Sequence, residues 1–176
     1  MNRQEFCQII ADIRKQSTIK MKDICFQMGV MPTAIYRLEK GSSNFEMGNM
    51  MSYIKALQHI LVIENGQHSY HTNDAQELGS ILALIRKEKA ISQRALAEKT
   101  GFVYSTIVKI ESKKSIISID TMLKIVDVLG YTVKIEKYNC YGCVHFVLLF
   151  WIIIMLVLMF PFGLLENPQK TVVKRK

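Results

Sequence analysis

Slid along itself until Ile13 meets Ile85, this 176-residue sequence repeats. In that register Ile13-Arg14-Lys15 lands on Ile85-Arg86-Lys87, Gly29 on Gly101, Ile35 on Ile107 and Glu39 on Glu111. Met50 then meets Met122, Leu57 meets Leu129, and Ile63-Glu64 meets Ile135-Glu136. Residues 9–64 set against 81–136 share 14 identities in 56 positions, and most other core positions exchange one apolar side chain for another. A unit of this size that recurs is one small domain used twice. The copies are residues 1–64 and 74–138. Between them, residues 65–73 are polar, lack apolar periodicity and read as a linker.

Each copy reads as a run of short helices. In the second, Ile81, Leu82 and Ile85 sit at helical spacing and mark a first helix. Ser92 caps a second through Thr100, with Leu96 and Ala97 facing inward. Gly101 supplies the positive φ of a tight turn. A third helix runs from Tyr104 to Ser112 and buries Ile107 and Ile110; a fourth covers Ile119 to Leu129 and stops at Gly130. Tyr131 to Lys137 alternates and is rich in β-branched residues, which predicts a strand. The first copy runs parallel: Met21–Met28, a turn at Gly29, Pro32 opening the third helix, and Ser43-x-x-Glu46 opening the fourth. Asn2-x-x-Glu5 and Asp74-x-x-Glu77 look like capping boxes for the two first helices.

The net charge of +8 is spread thinly: +2 over residues 1–66, +3 over 67–138 and +3 over 139–176. It permits a polyanionic partner without requiring one. Cys7, Cys25, Cys140 and Cys143 are too few and scattered for a disulfide framework, and residues 1–6 lack the apolar core of a signal peptide. A reducing cytoplasm is the reading for everything up to Tyr138.

Ser92-Gln-Arg-Ala-Leu-Ala-Glu-Lys-Thr-Gly-Phe102, followed by Ser105-Thr-Ile-x-Lys-Ile-Glu111, resembles the helix-turn-helix of the Cro/cI-type (XRE) repressor family. Met28-Gly-Val-x-Pro-Thr-x-Ile-Tyr-Arg-Leu-Glu-Lys-Gly41 resembles it in the first copy. The resemblance covers both copies, about three quarters of the chain. It implies an all-α fold of two tandem lambda-repressor-like helical domains, to which the residues themselves add a short strand ending each domain and a C-terminal apolar helix. It implies double-stranded DNA as the partner and transcriptional regulation, repressor-like, as the function. It also implies that Arg86 pairs with Glu111 and Arg14 with Glu39, within about 4 Å, locking each third helix to its scaffold.

Carried over residue by residue, the DNA-facing positions are Gln93, Tyr104, Ser105, Thr106 and Lys109 in the second copy. In the first they fall on Met21, Pro32, Thr33, Ala34 and Arg37, with Tyr36 beside them. Gln93 would meet phosphate at a helix N-terminus, and Tyr104, Ser105 and Lys109 base edges or phosphates. The first copy departs from the pattern, since Met21, Pro32 and Ala34 donate no side-chain hydrogen bond. Lys113 stands where Gly41 closes the equivalent helix. Two linked copies would suit two half-sites about one helical turn apart. Alternatively, the second copy binds DNA while strand 131–137 pairs across a homodimer. A strand after Leu-Gly also resembles the antitoxin branch of the superfamily, which implies a toxin protein as partner; no separate toxin-binding segment is visible. A third reading is a membrane-tethered interaction module that binds no DNA.

Phe146 to Phe160 is an unbroken run of 15 apolar residues, and 20 uncharged residues extend to Leu165. That length suits a bilayer-spanning helix over 144–165, followed by a basic tail over 166–176. Placing both copies inside the cell puts Lys170, Lys174, Arg175 and Lys176 outside, against the positive-inside tendency. Cys140, Cys143 and His145 fall one ligand short of a structural zinc site. The sequence contains no phosphate loop, nucleophile elbow or paired-carboxylate arrangement. The expectation is a protein that is no enzyme and needs no metal or cofactor.

Overall fold

The computed structural model describes residues 1–138, which form one compact unit. Its helices are α1 (Arg3–Gln16), α2 (Met21–Met28), α3 (Pro32–Lys40), α4 (Met47–Ala56), α5 (Ala75–Glu88), α6 (Gln93–Thr100), α7 (Tyr104–Glu111) and α8 (Ile119–Val128). The strands are β1 (His59–Glu64), β2 (Ser69–Thr72) and β3 (Thr132–Lys137). The first residues of α5 to α8 are Ala75, Gln93, Tyr104 and Ile119. They are the repeat counterparts of Arg3, Met21, Pro32 and Met47, which open α1 to α4.

Local chemistry sets these boundaries. Asn2 and Glu5 form a reciprocal capping box on α1, whereas Asp74 caps α5 through the Gln76 amide and Glu77 instead accepts from Thr72. Ser92 caps α6, accepting from the Ala95 amide. Gly29 and Gly101 end α2 and α6 with φ of +64° and +68°, a conformation that costs most other residues about 1–2 kcal/mol. Ser43 and Glu46 do not form the expected box. Glu46 is itself the residue flanking α4 and makes no side-chain cap; its backbone is bridged to Ser118, the residue that flanks and caps α8.

The unit is mostly helical, and the short strands expected at the end of each half, β1 and β3, join an unexpected third, β2, in one antiparallel sheet of order β2-β1-β3. Residues 69–72, within the expected linker, form β2. Asn65 accepts from the amides of Gln67 and His68 and, with Gly66 at φ +82°, folds the chain into a hairpin. β1 lies at the centre, so Leu61, Val62 and Ile63 are all buried. β3 pairs with β1 from His59↔Lys137 to Glu64↔Thr132. The strand expected to reach across a homodimer therefore takes its partner from its own chain.

One continuous apolar core runs through both halves, from Phe6, Ile10 and Ile24 through Met47, Met50, Ile54 and Leu61 to Leu82, Ile107, Met122 and Val126. Burying apolar surface at roughly 25 cal/mol per Å² is the main force holding it together. Among the described residues no helix is long and apolar enough to cross a membrane, and no cluster of metal-ligating side chains occurs. The apolar run of 146–160, the expected span 144–165, the basic tail, and Cys140, Cys143 and His145 lie outside the described residues.

Candidate nucleic-acid interface

α7 is amphipathic, and its sequence decides which side chains remain outside. Ile107 and Ile110 are buried, pinning the helix to the core. Tyr104, Ser105 and Lys109 are exposed on the opposite side, and Thr106 is half-buried beside them. Val103, immediately before the helix, is 70% exposed. The result is a ridge with one cation, two hydroxyl donors beside the tyrosine phenol, and apolar surface of the kind that meets a thymine methyl.

The helix is held from behind by charge. Arg86 of α5 donates to Glu111 through Nε at 2.6 Å and Nη2 at 2.8 Å. Its Nη1 donates to the carbonyl of Ile91 at 2.6 Å, which ties in the loop before α6. Gln93 completes the cluster, donating Nε2 to Glu111 at 2.8 Å. Burial pushes the Glu111 carboxyl up, but the hydrogen bonds from Arg86 and Gln93 outweigh it and hold the group below its ordinary range.

Gln93 also accepts from the Tyr104 hydroxyl at 3.4 Å, so its side chain bridges the buried lock and the exposed ridge. Glu111 takes one of the two hydrogens on the Gln93 amide nitrogen, and the Gln93 backbone opens α6. Arg94, which the sequence reading overlooked, lies 5.7 Å from the Tyr104 ring centre and props it. A signal was present: Lys22 is its counterpart, so a cation recurs at the second position of both second helices. Lys113 and Lys114 follow α7, exposed, and Lys113 takes φ +60° where Gly41 takes +59°.

The first half repeats the lock with a different third donor. Arg14 binds Glu39 through Nε and, at 3.0 Å, through Nη2. Met21 stands at the place of Gln93 and cannot donate; the buried Tyr53 hydroxyl binds Glu39 instead. Burial, then the bond to Glu39, push the Tyr53 phenol well up, so it stays a donor. Over this lock, Pro32, Thr33, Tyr36 and Arg37 are exposed on α3, while Ala34 is half-buried. Phe26 and Met31 are also strongly exposed, which makes this surface more apolar than that of α7.

Residues 82–135 match the family model for helix-turn-helix domains. The matched stretch begins within α5, takes in α6, α7 and α8 and ends within β3. It supports a Cro/cI-type helix-turn-helix over these residues and, in the general sense, DNA binding in a regulatory role. No match is found among curated proteins, and none among solved structures.

Proposed function

We propose that the chain is a sequence-specific double-stranded DNA-binding transcriptional regulator, repressor-like in action and resident in the cytoplasm. In this reading α7 enters the major groove with Tyr104, Ser105, Thr106 and Lys109, while the N-terminus of α6 at Gln93 meets phosphate. The observation that carries it is the exposed ridge of α7, fixed from behind by the Arg86–Glu111 pair within the matched residues. Thr33, Tyr36 and Arg37 give α3 the same role in the first half, which is taken as a second copy of the domain.

The test is titration of the full-length chain against random duplex DNA at several salt concentrations. The logarithm of the affinity should fall linearly with that of salt, with a slope of about −0.9 per phosphate neutralised. Absence of binding at low salt would overturn the proposal in favour of an interaction module without DNA. A toxin partner is a weaker reading, since β3 is already engaged by β1.

The apolar run of 146–160 supports a membrane tether for this regulator. Detergent-free fractionation should leave the full-length chain in the membrane pellet; recovery in the soluble fraction would remove the tether.

A further inference from the structure

The two halves meet through contacts in which a residue touches its own counterpart in the other copy. Val62 stands opposite Lys134 in the β1–β3 ladder, and Glu46 bridges Ser118. Beside that bridge the Met47 amide donates to the Ile117 carbonyl at 2.7 Å, and the Ile119 amide donates to the Phe45 carbonyl at 3.0 Å. Phe45 is the counterpart of Ile117 and Met47 that of Ile119, so these are one bond made in both directions. Likewise α1 touches α8 and α4 touches α5, the same pair exchanged. Reciprocity of this kind defines an isologous, two-fold interface. Here the axis lies inside a single chain, passing close to the 46/118 and 62/134 pairs.

That axis carries α3 onto α7. The positions of the two helices are thus related by a two-fold rotation, the relation by which helix-turn-helix dimers meet two inverted half-sites. The two ridges share part of their chemistry. Arg37 corresponds to Lys109 and Thr33 to Ser105, and all four are exposed. Elsewhere they diverge: Pro32, Ala34 and Tyr36 correspond to Tyr104, Thr106 and Val108. The cation and hydroxyl suited to phosphate or guanine persist, while the side chains that would read the remaining base edges do not. The two halves are joined through one continuous core.

We infer that one copy of this chain binds a duplex site built from two unequal, inverted half-sites, α7 reading one and α3 the other. This rests on the DNA-binding reading above. Two identical recognition helices ask for a palindrome; two diverged helices held on an internal axis ask for an imperfect one.

The test selects duplexes from a random library with the full-length chain, then measures stoichiometry and a hydroxyl-radical footprint on the retained sequence. One chain per duplex is expected, with two protected tracts about 34 Å apart over an imperfect inverted repeat. Lys109→Ala should weaken binding roughly tenfold and relax base preference in one half-site; Arg37→Ala should do so in the other. Both side chains are exposed, and circular dichroism matching the parent verifies that each variant folds. Two chains on a perfect palindrome would overturn the inference. So would a single protected tract indifferent to Arg37→Ala. If no duplex is retained even at low salt, the DNA-binding reading falls first and this inference with it; the binding step precedes the footprint, so the two failures are separable.

Discussion

Arg86 grips Glu111 through two parallel hydrogen bonds while itself only 7% exposed. Glu111→Gln would leave that guanidinium buried without a counter-charge, and urea unfolding should show a loss of about 3 kcal/mol. The Glu111 carboxyl is held below its ordinary value of 4.5 by its hydrogen bonds from Arg86 and Gln93, which outweigh the opposing effect of burial. Its contribution is therefore complete above about pH 4.5 and disappears as pH falls through the folded value. The parent should lose stability in that acid window more steeply than Glu111→Gln. Identical acid slopes would mean that the carboxylate does not carry the lock.

Tyr53→Phe removes the third donor from Glu39 and leaves the carboxylate one hydrogen bond short. A bond to a charged group contributes about 1.5–3 kcal/mol, and a loss in that range is expected in urea unfolding. Met21→Gln in the same background transplants the donor used by the second half and should recover part of the loss. No recovery would show that α2 and α6 do not present position 21 and position 93 alike.

Gln58 has φ +59°, and its counterpart Gly130 has +71°. A side chain there costs about 1 kcal/mol, so Gln58→Gly should raise the melting temperature by several degrees for a domain of this size. The exchange leaves the Gln58 carbonyl on the Tyr138 amide at 2.8 Å. A lower melting temperature would place the stabilisation in the glutamine side chain instead.

The helices were legible because three local signals coincide in the chain: apolar side chains at helical spacing, caps such as Ser92, and turn glycines such as Gly101. The Arg86–Glu111 and Arg14–Glu39 pairs were legible through the resemblance, as one spacing shared by both halves. The sheet was only half legible. Thr132–Lys137 alternates and shows itself, and the repeat places a matching strand at the end of the first half, but nothing local says that the two pair with each other. β2 was missed because Ser69-Tyr-His-Thr72 is too short and polar to stand out; Asn65-Gly66, a strong hairpin signal beside the apolar His59–Glu64, was the available clue. The role of Tyr53 has no sequence signal, since a buried phenol and a buried phenylalanine ring share one apolar pattern. The internal axis escaped notice because a repeat gives the number of copies and not how they face one another.

Lys109 and Lys55 separate the recognition surface from general basicity. Both are exposed lysines, one on α7 and one on α4. In filter or fluorescence titrations with duplex DNA, Lys109→Ala should weaken binding about tenfold and flatten the salt slope by about one unit. Lys55→Ala should change neither. Equal effects would relocate the interface away from α7.

Gly79 is the contact on which the seating of α7 turns. It lies in α5, buried, and a Cβ built there would run into the backbone carbonyl oxygen of Ile110. A carbonyl in a helix cannot rotate aside, so Gly79→Ala must push α7 off α5, and overpacking of this kind costs typically about 1–3 kcal/mol. The first half solves the same contact differently. Cys7 is the counterpart of Gly79, and there the small residue is Gly41, whose added Cβ would meet the Gln4 Cα at 3.3 Å and Cys7 at 3.4 Å. Displacing α7 also strains the Arg86–Glu111 pair behind it, so Gly79→Ala should lower DNA affinity as well as stability. Gly29→Ala is the control: it carries the cost of a positive φ but has nothing within 4 Å of the new carbon, so it should lose about 1 kcal/mol and retain binding. A Gly79→Ala chain that melts and binds like the parent would mean that α5 and α7 do not pack as closely as Gly79 and Ile110 require.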